Sequence, residues 1–200
     1  MRFHDITTCD VNNGEGFRVT LWVAGCTHHC QGCQNPETWD FKGGQPFGKE
    51  AHDYLFSELS KPYIQGVTFS GGDPLCSAGE VTALAKEIKE KLPGKDIWLY
   101  TGFTIEQIEA NDKLKQILPY VDVIVDGEYV KALRDVTLAF RGSRNQRIIS
   151  IKNGKTVNYY RPTEDSTAAR LAAMEQAVNK GAKVIVCPGY LFEDAVYEAQ

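Results

Sequence analysis

The chain has 200 residues, 42% hydrophobic and 24% charged, enough to bury one core without metals or disulfides holding it together. Its net charge of −4 and pI near 5.6 imply no basic face and exclude nucleic acid as the main partner. The start, Met1-Arg2-Phe3-His4-Asp5, lacks the apolar segment of a signal peptide, and no run approaches bilayer-crossing length, so a cytoplasmic protein without membrane contact is expected.

In chain order, Val19 to Ala24 is rich in β-branched and aromatic residues and predicts a strand, with Gly25 letting the chain turn at its end. Lys49 to Ser60 predicts a helix, with Ala51, Leu55 and Leu59 spaced by four. Gly66 to Ser70 predicts the next strand. Glu80 to Leu92 is a clearer helix, its Val81, Leu84, Ala85, Ile88 and Leu92 forming one apolar stripe that Pro93-Gly94 ends. Asp96 to Thr101 follows as a strand. Thr104 caps a short helix through Ile108, Asp112 caps another through Leu118, and Val121 to Val125 and Arg147 to Ile151 return as strands. Helical segments between strands indicate βα units, hence an α/β fold with a mostly parallel sheet, read as an open or partial barrel. Beyond Asp165 the composition changes. A helix over Ser166 to Asn179, a strand over Lys183 to Cys187 and a helix over Leu191 to Ala199 form one more βα unit, too small for its own core.

The chemistry concentrates at Cys26, Cys30 and Cys33. Cys-x3-Cys-x2-Cys offers three thiolates in one loop and no obvious fourth, so a cubic iron-sulfur cluster held there keeps one iron open to a small molecule. A structural zinc site with His28 or His29 as fourth ligand is the alternative. Otherwise both histidines read as exposed loop residues. Cys9, Cys76 and Cys187 are scattered singly, as reduced thiols are, with Cys76 near the cofactor by its distance from Asp73. The turn Gly71-Gly72-Asp73-Pro74 ends a strand; its bare backbone lets a ligand approach, and Asp73 can accept from an ammonium group. An ordinary strand-to-helix turn capped by Asp73 is the plainer reading. Phe69, Trp98 and Tyr100 read as core. Arg141, Arg144 and Arg147 suit a carboxylate or a partner protein, or simply solvent.

The cysteine loop and the Gly-Gly-acid turn together resemble the radical S-adenosylmethionine superfamily. Asn12-Asn13-Gly14-Glu15-Gly16, Gly32-Cys33-Gln34-Asn35-Pro36 with Trp39, Trp98 to Gly102, Val125-Asp126-Gly127 and Arg141 to Gln146 occur in order. They make residues 1 to 155 similar to the anaerobic ribonucleoside-triphosphate reductase activating proteins. Gly32 stands where many superfamily members carry an aromatic residue, and it is usual for the activases.

The resemblance implies a [4Fe-4S] cluster on the three cysteines and S-adenosylmethionine chelating the open iron. It also implies a 5′-deoxyadenosyl radical that takes a hydrogen from a glycine Cα of the reductase large subunit. Gly71, Gly72 and Asp73 would meet the methionyl end, and Gly32 and Gln34 would lie beside the cofactor. No protein acid or base is required, and a flavodoxin or ferredoxin would supply the electron, since no second cluster motif occurs. Residues 156 to 200 form a separate C-terminal extension. It resembles a stretch of the basic-membrane-protein family of nucleoside-binding lipoproteins but lacks the remainder of such a domain, so no binding function transfers.

Overall fold

The computed structural model describes residues 1–159 and 178–179. Eight strands form one open sheet in the order β3-β1-β2-β4-β5-β6-β7-β8. These are β1 (Arg2–Asp10), β2 (Arg18–Val23), β3 (Gln45–Pro46), β4 (Gly66–Gly71), β5 (Asp96–Tyr100), β6 (Val123–Asp126), β7 (Arg147–Lys152) and β8 (Lys155–Tyr159). Helices α1 (Lys49–Leu59), α2 (Ala78–Lys91) and α3 (Ile105–Ala110) connect β2 to β4, β4 to β5 and β5 to β6.

Those three crossovers give parallel pairs, whereas β1 with β2, β1 with β3, β6 with β7 and β7 with β8 are antiparallel. The expected mostly parallel sheet is therefore a mixed sheet, parallel at its centre and closed off by antiparallel strands on either side. Each crossover steps to the adjacent strand in the same direction. Right-handed connections of that kind place their helices on one face. Val19, Leu21, Val23, Val67, Phe69, Ile97 and Leu99 accordingly share one core with Leu55, Leu59, Val81, Ile88 and Ile108 of the helices.

Period-2 alternation sends the other residues of the same strands to the opposite face. There Arg18, Thr20, Thr68 and Ser70 are buried but polar, and Trp98 packs with Val125, Phe140 and Ile148 in a second, smaller core. Strands buried on both faces usually read as continuous apolar runs. These alternate instead, because one of their faces lines a polar concavity.

One expected element changes, and one strand had no expectation. Asp112 to Leu118 is not a helix: only Lys115–Ile117 makes a 3-10 turn, and Pro119, with no N–H to donate to the Lys115 carbonyl, keeps that turn from running on. β1 has no clean alternation in sequence because register shifts fall between Phe3 and Asp5 and between Thr7 and Asp10. The expected tail elements lie outside the described residues, apart from Val178 and Asn179, which are helical. No helix of the described residues is long and apolar enough to cross a membrane.

Candidate functional site

The C-terminal ends of β2, β4, β5 and β6 meet at one edge. A pocket there is lined by Cys26, Cys30, Cys33, Gly71, Gly72 and Asp73, so the structure brings the two sequence motifs together. The rest of its wall includes Tyr100, Thr101, Gly102, Gly127, Tyr129 and Gln146.

Backbone hydrogen bonds continue the β2–β4 pairing past the end of the strands. The Gly72 N–H donates to the Val23 carbonyl at 2.8 Å, and the Asp73 N–H to the Gly25 carbonyl at 2.9 Å. Cys26 is held in turn by its N–H to the Trp39 carbonyl at 3.1 Å. This approach is why glycine is needed twice. Gly71 has φ +103°, and a Cβ there would lie 2.6 Å from the Val23 nitrogen; a Cβ on Gly72 would strike the Gly25 carbonyl oxygen. Gly71 thus lets the turn close against β2 and Gly72 against the start of the cysteine loop, beyond any approach of a ligand.

Asp73 is 1% exposed. Its carboxylate accepts from the Leu75 N–H at 2.8 Å, the Thr101 hydroxyl at 2.9 Å, the Gly102 N–H at 2.9 Å and His28 Nε2 at 2.8 Å. These partners occupy the lone pairs that an ammonium group was expected to use. Asp73 is a hub joining the ends of β4 and β5 to the cysteine loop.

His28 is neither exposed nor a free ligand. Its side chain is 10% exposed, with Nε2 on Asp73 and Nδ1 on Glu128 Oε1 at 2.9 Å. The Asp73 hydrogen bond leads the effects that raise its pKa, and Glu128 adds to them. His29 is exposed and meets Trp39 edge-on, ring centroids 4.9 Å apart. With His28 held between two carboxylates, the Cys3His zinc alternative loses its buried fourth donor. Among the described residues no three His, Cys, Asp or Glu side chains converge on a single ion. Cysteine ligands on separate irons of a cubane need no such convergence.

The thiols suit such a cluster. Burial pushes Cys26 up to about 11 and raises Cys30 as well, so the bare protein holds thiols there, and the positive irons would draw them into thiolates. The Asn35 N–H approaches Cys33 Sγ at 3.4 Å, the kind of hydrogen bond that tunes a cluster sulfur. Cys76 lies behind the loop, 3.5 Å from the Thr27 hydroxyl, and is not among the pocket's lining residues.

A second cavity of about 390 Å³ adjoins the pocket and shares Cys33, Ser70, Tyr100, Tyr129 and Gln146 with it. Gln34 lines this outer space, whereas Gly32, at φ +74°, packs against Lys131 and lines neither. Tyr100, expected in the core, lines both, and its hydroxyl donates to the Phe140 carbonyl at 3.0 Å. Tyr129 carried no motif. Only its place three residues after Asp126, beyond a strand end, could have marked it.

A family profile described as a 4Fe-4S single cluster domain matches residues 12–149. The anaerobic ribonucleoside-triphosphate reductase-activating protein of phage T4 is 46% identical over 156 residues, spanning 77% of this chain and 97% of its own length. Its counterpart in Salmonella typhimurium is 42% identical over 150 residues, 73% of this chain and 96% of that protein. The Escherichia coli K12 protein of the same name is 40% identical over 150 residues, with the same two coverages. The chain belongs to the anaerobic ribonucleoside-triphosphate reductase-activating protein family. Family membership brings with it a [4Fe-4S] cluster working with S-adenosylmethionine.

Proposed function

We propose that this chain is a radical S-adenosylmethionine activase that generates a glycyl radical on the large subunit of anaerobic ribonucleoside-triphosphate reductase. The observation that carries the reading is the single pocket shared by Cys26, Cys30, Cys33 and the Gly71–Asp73 turn, in a chain whose relatives bear that name.

Cys26, Cys30 and Cys33 would hold the cluster. Together with S-adenosylmethionine it supplies a one-electron cleavage that yields methionine and a hydrogen-abstracting radical. The backbone edge of Gly71 and Gly72 faces the methionyl end, with Asp73 fixing that edge from behind, and Gln34 borders the cofactor from the outer cavity. The polypeptide contributes orientation: both motifs hang from rigid strand ends, so the reacting groups meet in a fixed geometry. No side chain has to move a proton in the abstraction itself.

The sheet, with all three helices on one face, forms the wall of a partial (βα) barrel around this pocket. Flavodoxin or ferredoxin supplies the electron, and the protein works in the cytoplasm. Residues 1–155 are the activase domain. Residues 156–200 are an accessory extension, which the relatives do not need, since about 150 residues of this chain span nearly their whole length. A chain ending near Arg161 should keep cluster and cofactor cleavage.

The test mixes the reduced, cluster-loaded protein with S-adenosylmethionine and the reductase from the same genome, then records an electron paramagnetic resonance spectrum without oxygen. A doublet that collapses when the target glycine is deuterated at Cα is expected. Rapid 5′-deoxyadenosine formation with a small metabolite, while the reductase stays radical-free, would instead assign the chain to a small-molecule reaction.

A further inference from the structure

The outer cavity has an unbalanced charge. Among the described residues lining it, Arg141 is the single charged side chain; the polar remainder is largely the neutral amides of Asn12, Asn13, Gln34 and Asn35. Two arginines close by in sequence, Arg144 in the same loop and Arg147 at the start of β7, are neutralised. Arg144 pairs with Asp135 at 2.9 Å, and Arg147 spans Glu106 at 2.8 Å and Asp126 at 2.5 Å. Arg141 has no carboxylate within ion-pair distance among the described residues. Its Nη1 donates to the Gln146 carbonyl at 3.2 Å, and its Nε is buried with no partner. A desolvated guanidinium donor left unpaired is costly, and an anionic acceptor is the group that best removes the cost.

The loop is also braced around this residue. Phe140, directly before it, sits at φ 56°, a left-handed conformation that a side chain makes unfavourable. It is held there by the Tyr100 hydroxyl on its carbonyl and by edge packing on Trp98 at 5.4 Å. On the other side, Gln146 Oε1 accepts from the Gly142 N–H at 2.9 Å and the Ser143 N–H at 3.2 Å. Strain that the surroundings enforce in this way marks a position set for a task.

We propose that Arg141 is an anion receptor that takes a carboxylate in the outer cavity, next to the cluster pocket. The inference rests on the activase reading, which brings two carboxylate sources within reach: the methionyl carboxylate of S-adenosylmethionine in the cluster pocket, whose wall the outer cavity shares, and an acidic group of the docked reductase. A planar guanidinium with free donors suits a carboxylate from either source.

The experiment compares the cluster-loaded native protein with Arg141→Gln and Arg141→Lys. It measures S-adenosylmethionine affinity by equilibrium dialysis, the cofactor-induced change in the reduced cluster's paramagnetic spectrum, and the reductase concentration giving half the maximal glycyl radical. Arg141→Gln should weaken one of the two binding events by roughly 10- to 100-fold, with partial rescue in Arg141→Lys, because a hydrogen-bonded charge pair is lost. A fall in cofactor affinity, absent when decarboxylated S-adenosylmethionine is the probe, assigns the carboxylate to the cofactor. Unchanged cofactor affinity with a raised reductase requirement assigns it to the partner. Both quantities within twofold of native in a folded, loaded variant overturn the inference. Should Arg141→Gln not fold, Arg141→Lys decides, since it keeps the charge and loses the fork: native behaviour on both measures would exclude a paired, oriented carboxylate. Failure of the activase reading shows differently, because the native protein would then neither bind S-adenosylmethionine nor transfer a radical, and the inference would fall with it.

Discussion

Two buried polar networks sit at opposite ends of the same parallel strands. At the N-terminal end, Arg18 is fully buried: Nε donates to the Thr68 hydroxyl at 2.7 Å, Nη2 to the Val67 carbonyl at 2.7 Å and Nη1 to the Glu15 carbonyl at 3.0 Å. It also pairs with Asp96 and lies 5.4 Å from the Trp98 ring centroid. At the C-terminal end, Asp73 is satisfied just as fully by Leu75, Thr101, Gly102 and His28. Each network joins β4 and β5 to the loop that flanks β2. Asp73, Thr101, Gly102 and His28 of the second line the cluster pocket, whereas Arg18, Thr68 and Asp96 line neither of the two cavities described. The Arg18 network closes the concavity, and the Asp73 network frames the place where chemistry occurs. A saturated buried charge is therefore no sign of a site; what surrounds it decides.

The largest expected effect separates the ends completely. Cys30→Ala should abolish stable cluster loading and cofactor cleavage while the metal-free chain unfolds at nearly the native temperature. Iron and sulfide analysis with a thermal melt checks both, and Cys187→Ala is the control that should load normally. Equal cluster loss in the two variants would break the ligand assignment.

Arg18→Gln comes next, with the opposite signature. It leaves Asp96 without its ion partner and the Val67 carbonyl without its donor, which should cost about 3–5 kcal/mol of stability. In whatever fraction stays folded, S-adenosylmethionine affinity should be native. A denaturant titration beside a binding isotherm would expose any coupling between the two ends.

Asp73→Asn should affect both properties at once. The amide turns an N–H toward donors that need an acceptor, so a loss of about 1–3 kcal/mol is expected, together with weaker cofactor binding as His28 and the Gly102 N–H lose their anchor. Normal cofactor affinity in this variant would reduce Asp73 to a purely structural part, like Arg18. Gly72→Ala is predicted to cost about 1–3 kcal/mol by driving a methyl against the Gly25 carbonyl. It should lower iron content before it lowers cofactor affinity, because the displaced element is the cysteine loop.

The smallest effect lies just beside the pocket. Arg147 lowers Glu106 from its ordinary 4.5 to about 2, so this pair's contribution is present above 4.5 and lost as pH falls through about 2. Stability profiles of native and Glu106→Gln protein should converge over that interval. Because Glu106 is exposed, the difference at neutral pH should be small and should shrink with added salt.

Much of this was legible in the chain. α1 and α2 follow apolar stripes at helical spacing, and α3 begins at Thr104 with the capping box that its Gln107 completes. The cysteine loop and the Gly-Gly-Asp turn declared themselves by type and spacing. β1 did not, because its two register shifts place the buried Phe3 and Ile6 three apart, which no period-2 pattern shows. His28 and Tyr129 were equally hidden, since a residue's partner across the sheet edge leaves no mark in its own neighbourhood.

The sequence by itself determined the local matters: the three helices and the central strands, which loop offers three thiolates, and where bare glycine backbone permits close approach. These depend on residues a few positions apart. Tertiary structure decided that the sheet is antiparallel at both sides, that Asp73 serves the scaffold before any ligand, and that Arg141 alone of its loop's arginines faces an uncharged cavity. Those outcomes depend on distant partners, such as Asp73 with Thr101 and Arg147 with Glu106, whose meeting is fixed by packing all three helices on one face of a single sheet.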